Sequence, residues 1–244
     1  MNVGLVTPMS MTFAKMQKET FKNHLEKLSD FCEQNLGVIP DNRHLTVMVK
    51  ENPILEEELI QTIHDHKAEM MLMGMRGSSN LKDVIFGSST KKMIDDCPCP
   101  LLAVPTTLEN FELGHITYAT DFEETDIHAL KWMVNTLALP LKSKVAIVHI
   151  ATKAVGNEQD EMEWFKAMVQ QKVTYDDISY DAIEDEDFLK GLTNYLDKTK
   201  SKLIAMLERE HHGVLKAWTH SDKVKMMSTK GHKTLLSFNS KCFQ

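Results

Sequence analysis

Met70-Met71-Leu72-Met73-Gly74-Met75-Arg76-Gly77, followed after nine intervening residues by Gly87-Ser88-Ser89, is the stretch on which the fold of this chain turns. Met70 to Met73 is a short apolar run of the kind a buried strand presents. A buried strand, a glycine turn and a helix start in that order suggest a phosphate cradle. Glycine adopts positive φ without a Cβ clash and lets a ligand approach the backbone. A helix starting near Gly87 would add orphan N–H donors and the positive end of its dipole, with the hydroxyls of Ser88 and Ser89 beside them. The pattern is not a Walker A loop, since no Gly-Lys-Ser/Thr follows, and its first two glycines are too far apart for GxGxxG. The alternative is a strand-to-helix turn whose glycines serve only chain reversal.

Periodicity extends an α/β pattern to both sides of this stretch. Ser10 to Leu36 carries Phe13, Met16, Phe21, Leu25, Leu28 and Phe31 at helical spacing, and Gly37 with Pro40 closes it. Leu45, Val47 and Val49 alternate as a strand, and Ile54 to His66 reads as a helix after Asn52-Pro53. Leu81 to Ile94 is expected to be helical, and Leu101 to Val104 forms the next buried strand. Helices alternating with short apolar strands imply parallel strands joined by right-handed crossovers, the doubly wound α/β class.

The second half repeats the plan. An offset of 133 residues, without a gap, lays Leu45, Val47 and Val49 on Ile178, Tyr180 and Ala182, Leu59 on Leu192, Met73 on Met206, Ser88 on Ser221 and Leu102 on Leu235. The same offset lays Gly74, Gly77 and Gly87 on Leu207, Glu210 and His220. The second copy therefore lacks all three glycines, and Glu210 would set a negative charge where a phosphate would sit. In front of its Ile178 strand the second half has a strand at Ile116 to Thr120, a helix from about Thr125 to Leu139 and a strand at Val145 to Ile150. The first half has no room for these, Val3 to Val6 being the only strand remnant before its long helix. It is expected to lack its leading strand and helix, as if the sequence began at an internal methionine of a longer protein.

With 244 residues, 42% apolar and 26% charged, the composition is that of a globular protein long enough for two domains, expected at 1–107 and 112–244. A net charge of −7 leaves no broad basic excess for nucleic acid. No apolar run approaches the ~20 residues of a bilayer-spanning helix. Four scattered cysteines, Cys32, Cys97, Cys99 and Cys242, do not make a disulfide framework and fit a reducing compartment. A cytoplasmic location is the expectation.

The GxxG, nine residues, Gly-Ser pattern after the strand, with Ala119-Thr120-Asp121-Phe122 at the head of the second half, resembles the universal stress protein family of the tandem two-domain type. The resemblance implies two tandem five-stranded doubly wound parallel-sheet domains of the adenine nucleotide alpha hydrolase-like kind, with strand order 3-2-1-4-5. It also implies ATP as ligand, with Gly77, Gly87, Ser88 and Ser89 at the phosphates and Met73 and Gly74 near the ribose. The adenine side would come from the ends of the first two strands, including an aspartate after strand one. The first half has the glycines without that aspartate, and the second has Asp121 without the glycines. Neither half carries a complete nucleotide site. The expected function is a non-enzymatic stress-response protein in which ATP binding is a regulatory signal, the alternative being an interaction scaffold that binds no nucleotide. The two halves are expected to pack through Leu101 to Val104 and Thr234 to Phe238, with a homodimer as a further expectation.

Other candidates have structural readings. Cys97-Pro98-Cys99 could be a metal or redox pair, but it has no second Cys or His pair at ligand spacing and reads as structural. His211-His212 with Glu208 and Glu210 reads as a solvated loop, and no metal site is expected. Glu184-Asp185-Glu186-Asp187 reads as a cap of the helix starting near Phe188. Asp121 follows a buried strand at the carboxyl edge where open α/β sheets bind ligands, or caps the next helix. The methionines at 70, 71, 73 and 75 read as strand packing. No nucleophile motif is present.

Overall fold

A computed structural model describes residues 8–37, 44–77, 84–85, 88–105, 113–152, 156–208 and 233–243. The chain divides into two compact units, Met1–Ile54 and Leu55–Gln244.

The first unit contains α1 (Pro8–Leu36), as the helical spacing requires. Its apolar stripe is largely in solvent: Met16 is 62% and Phe31 61% exposed. Residues 44–50 are not a strand, against the expectation from Leu45, Val47 and Val49. Alternation makes one face apolar, but a strand exists only through its neighbour's hydrogen bonds, and no described strand pairs with this segment.

The second unit is built on an eight-stranded sheet of order β2-β1-β3-β8-β7-β4-β5-β6. The strands are β1 (Met71–Gly77), β2 (Val84–Ile85), β3 (Leu101–Pro105), β4 (His115–Ala119), β5 (Lys144–Ala151), β6 (Ile178–Glu184), β7 (Leu203–Leu207) and β8 (Thr234–Phe238). Strands β8, β7, β4, β5 and β6 are mutually parallel neighbours, which is the order 3-2-1-4-5 expected of the second half. The first half contributes β1 and β3, also parallel. The halves join where β3 runs antiparallel to β8, with Leu101 opposite Ser237, Leu102 opposite Leu236 and Ala103 opposite Leu235. The final strands thus meet as expected, in one sheet.

Both faces of this sheet are covered. On one, Tyr118, Phe165, Phe238 and Met133 pack in a core over β4 and β7, and on the other Met75, Met93, Ile94 and Leu192 pack over β1, β3 and β7. Burial on both faces explains why β7 reads as a continuous apolar run. The helices are α2 (Leu55–His66), α3 (Ser88–Asp96), α4 (Glu124–Met133), α5 (Leu139–Leu141), α6 (Glu158–Lys172) and α7 (Phe188–Thr199). A π turn at Val134–Ala138 links α4 to α5 just before Pro140, whose missing N–H removes one donor from the regular ladder. Asp187 caps α7, its carboxylate accepting from the N–H groups of Leu189 and Lys190, as the acidic run suggested.

Three expectations need correction. Strand β1 continues through Gly74 to Gly77 instead of turning at the glycines, because Arg76 and Gly77 pair with Ile85 and Val84 of β2. Val84 and Ile85 are accordingly strand, and the helix expected from Leu81 starts only at Ser88. The gapless 133-residue offset also fails. Met71 pairs with Leu101 while Leu203 pairs with Thr234, so one residue more separates β7 from β8 than β1 from β3. Helix α6 has no counterpart among the sequence expectations. Its buried residues, Met162, Phe165 and Val169, are set in a polar sequence whose periodicity is weak.

Candidate functional site

The predicted phosphate residues lie where β1 ends and α3 begins. Met73 is half-buried against the core, and Gly74 is exposed on the strand beside it. A Cβ on Gly74 would meet nothing within 4 Å, so the backbone there is open to an incoming group. Positive φ is not the reason for this glycine: among the described glycines only Gly37 and Gly156 have it. Gly77 closes β1 opposite Val84. Arg76 is bridged to Ile85, which brings the start of α3, three residues further on, to the end of β1. Ser88 is exposed and Ser89 half-buried on the first turn of α3, where orphan N–H groups and the positive dipole end are available. Gly87 lies outside the described residues.

Glu56 is the residue that sequence reading missed. It stands in the first turn of α2, and its carboxylate accepts a hydrogen bond from Ser89 with Lys92 nearby. Its own backbone N–H first and then the Ser89 hydroxyl hold its pKa below the usual 4.5 against an opposing effect of burial, with the Lys92 charge adding least. The start of α3 therefore already attracts an anion, supplied by this chain. Thirty-three residues separate Glu56 from Ser89 in sequence, and no local pattern announces the pairing.

In the second half the carboxyl edge of the sheet is built around Thr120 and Asp121. Asp126 is fully buried and accepts from the Tyr118 hydroxyl at 2.9 Å, the Thr120 hydroxyl at 2.7 Å and the Glu123 N–H at 3.2 Å. The cap of α4 is the reciprocal pair of Glu123 and Asp126, so Asp121 does not serve as that cap. Its carboxylate lies 3.8 Å from Nδ1 of His149 on β5. That nitrogen is 2.8 Å from the Thr120 carbonyl, which can only accept, so Nδ1 carries the proton and donates. The Phe122 ring, held at φ 64°, stacks on His149 with centroids 4.3 Å apart. His149 escaped the sequence reading because nothing local marks it. Leu207, matched to Gly74 by the uncorrected offset, is buried at the end of β7. Glu210, His220 and the His211-His212 pair lie outside the described residues.

Comparison with known proteins gives a consistent result. The sequence model of the Universal stress protein family matches residues 13–105. Over 87 residues the chain is 25% identical to the universal stress protein in the QAH/OAS sulfhydrylase 3′ region of Thermus aquaticus, a match covering 36% of this chain and 62% of that protein. The chain thus spans less than two thirds of that relative's length. Among solved structures, a universal stress protein from Archaeoglobus fulgidus is similar with a TM-score of 0.61 at 14% identity, covering 89% of this chain and 81% of that one. A functionally unknown protein from Pseudomonas aeruginosa PAO1 is similar with a TM-score of 0.61 at 12% identity, covering 88% and 78%. At these identities the structural likeness concerns the fold. Among the described residues no helix is long and apolar enough to cross a membrane.

Proposed function

Because the chain belongs, through residues 13–105, to the universal stress protein family, we propose that it is a non-enzymatic, cytoplasmic stress-response protein whose first half binds ATP as a regulatory signal. The triphosphate would lie between the end of β1 and the first turn of α3. The observation that carries this is the open backbone at Gly74, where a Cβ would meet nothing within 4 Å, next to a helix start that already holds a carboxylate. An anion site made of backbone N–H groups and serine hydroxyls suits a phosphate without any metal ligand. Ser88 and Ser89 would supply the hydroxyls, and the strand end at Gly74 to Gly77 would let the nucleotide approach the main chain.

Equilibrium binding of ATP to the full chain and to a Gly77→Glu variant tests this. The variant should bind at least about a hundredfold more weakly, since a like charge set against an anion costs on the order of several kcal/mol. Equal binding by both proteins, or none by either, removes the glycine-loop site. An interaction scaffold without nucleotide is the alternative, and one observation favours it. In the second half β7 has β4 as its parallel neighbour, whereas Met71 to Met75 of β1 have no strand on the corresponding flank among the described residues. The adenine side of the first half would then rest on other elements.

A further inference from the structure

The fold gathers sulfur at one place outside the nucleotide region. Cys97 and Cys99, on either side of Pro98 between α3 and β3, hold their Sγ atoms 3.7 Å apart. The Sδ of Met71, at the start of β1, lies 4.0 Å from the Cys97 Sγ. The Met71 backbone N–H donates to the Pro100 carbonyl at 2.9 Å, which ties the start of β1 to the turn that carries both thiols. Cys97 is fully buried, Cys99 nearly so and Met71 half-buried. Met75, Met93 and Met206 belong to the same apolar cluster.

Sequence spacing ruled against a metal here because no second Cys or His pair follows. Folding supplies a different third ligand, a thioether from 26 residues away. Three sulfurs round one metal at a bond of about 2.3 Å stand about 4 Å from one another in trigonal geometry, which is the spacing of the two separations given above. Two thiolates and a thioether form a soft donor set that selects Cu(I). Structural zinc takes four ligands, and the described residues contain no group of three or more His, Cys, Asp or Glu placed to hold a metal.

We propose that Cys97, Cys99 and Met71 form a Cu(I) site, a soft trigonal centre where the turn between α3 and β3 meets the start of β1. Binding replaces two S–H bonds by two Cu–S bonds, two protons leave to solvent, and no electron is transferred. The ion enters on the Met71 side, the one partly exposed ligand. Cys242 lies close by, but its thiol is directed to the Cys97 carbonyl at 3.9 Å and to the Asn239 side chain at 3.9 Å, so it covers the site without ligating.

The test uses the reduced full chain under anaerobic conditions, in a Cys32→Ser background that removes the free thiol of α1. It is titrated with Cu(I) against the chelator bathocuproine disulfonate. One equivalent should be withheld from the chelator, Cys97→Ser and Cys99→Ser should lose it, and Cys242→Ser should keep it. Met71→Leu should bind about tenfold more weakly, the scale at which removing one supporting group lowers metal affinity. No copper withheld, copper kept by Cys97→Ser, equal loss in Cys242→Ser, or an unchanged Met71→Leu each overturns the assignment. Copper X-ray absorption on the unsubstituted chain is independent of whether the variants fold. It should show a shell of three sulfurs, and a nitrogen or oxygen shell overturns the site.

Discussion

Glu56 and the phosphate of a nucleotide compete for the same donors. Its carboxylate takes the Ser89 hydroxyl and sits near Lys92, two groups that an anion at the start of α3 would use. Replacing it by Gln removes the negative charge while keeping the side-chain length. Glu56→Gln should therefore bind ATP about two- to fivefold more tightly at low salt, the effect expected of one exposed charge. Calorimetric titration of both proteins reads this, and unchanged or weaker binding would show that the nucleotide does not meet Ser89. The pH dependence follows from the direction of the shift. A carboxyl whose folded pKa is depressed stabilises the fold above its unfolded pKa, and that contribution is lost as pH falls through the lower folded value. The anion at Ser89 thus persists as pH descends through the ordinary Glu range, and mild acid should not relieve the competition.

The element that binds the two halves is the β3–β8 pair, and its stability is shared with α3. Asn239, 5% exposed and one residue beyond β8, donates from Nδ2 to the carbonyls of Ile94 at 3.1 Å and Cys97 at 2.9 Å. Those carbonyls belong to the last turn of α3 and the residue after it, where intrahelical partners run out. Asn239→Ala would leave both buried acceptors without this donor, at a cost of about 1–3 kcal/mol. Urea unfolding should show a lower midpoint with an unchanged slope, and an unaltered midpoint would mean that water replaces the amide without loss. This contact was not legible in the sequence, because an Asn after a strand reads only as a turn residue. The strands were legible where burial on both faces makes an apolar run, as at Leu101 to Val104, and Thr234 to Phe238 was legible as its counterpart in the repeat. Val84–Ile85 was not, since two residues show no periodicity and owe their strand state to Arg76 and Gly77 across the ladder. The site divided in the same way. Glycine and serine types pointed to the end of β1 and the start of α3, whereas Glu56, His149 and Met71 act through partners distant in sequence.

Across the whole molecule, stability is expected to be uneven. Burial is concentrated in the sheet, where every residue of β7 and β8 is buried and Ile204, Ala205, Leu235 and Leu236 are 0% exposed. Helix α1 is the opposite case. It is 29 residues long, with Leu25 and Leu28 each 40% exposed besides Met16 and Phe31. Most helical stability in proteins comes from packing an apolar face, and little of the apolar face of α1 is buried. Regions with few buried apolar contacts open at a fraction of the global free energy. Native-state hydrogen exchange on the full chain should therefore show α1 amides exchanging orders of magnitude faster than those of β3, β7 and β8. The β4 amides should follow the slow group, because β4 is hydrogen-bonded on both sides, to β5 and to β7. If α1 proved as protected as β7, its apolar stripe would have to be covered in solution, and measuring the exchange over a range of protein concentrations would distinguish cover by a second copy from cover within one chain. Protection that rises with concentration identifies self-association through Met16, Leu25, Leu28 and Phe31, and protection independent of it places the cover within the chain.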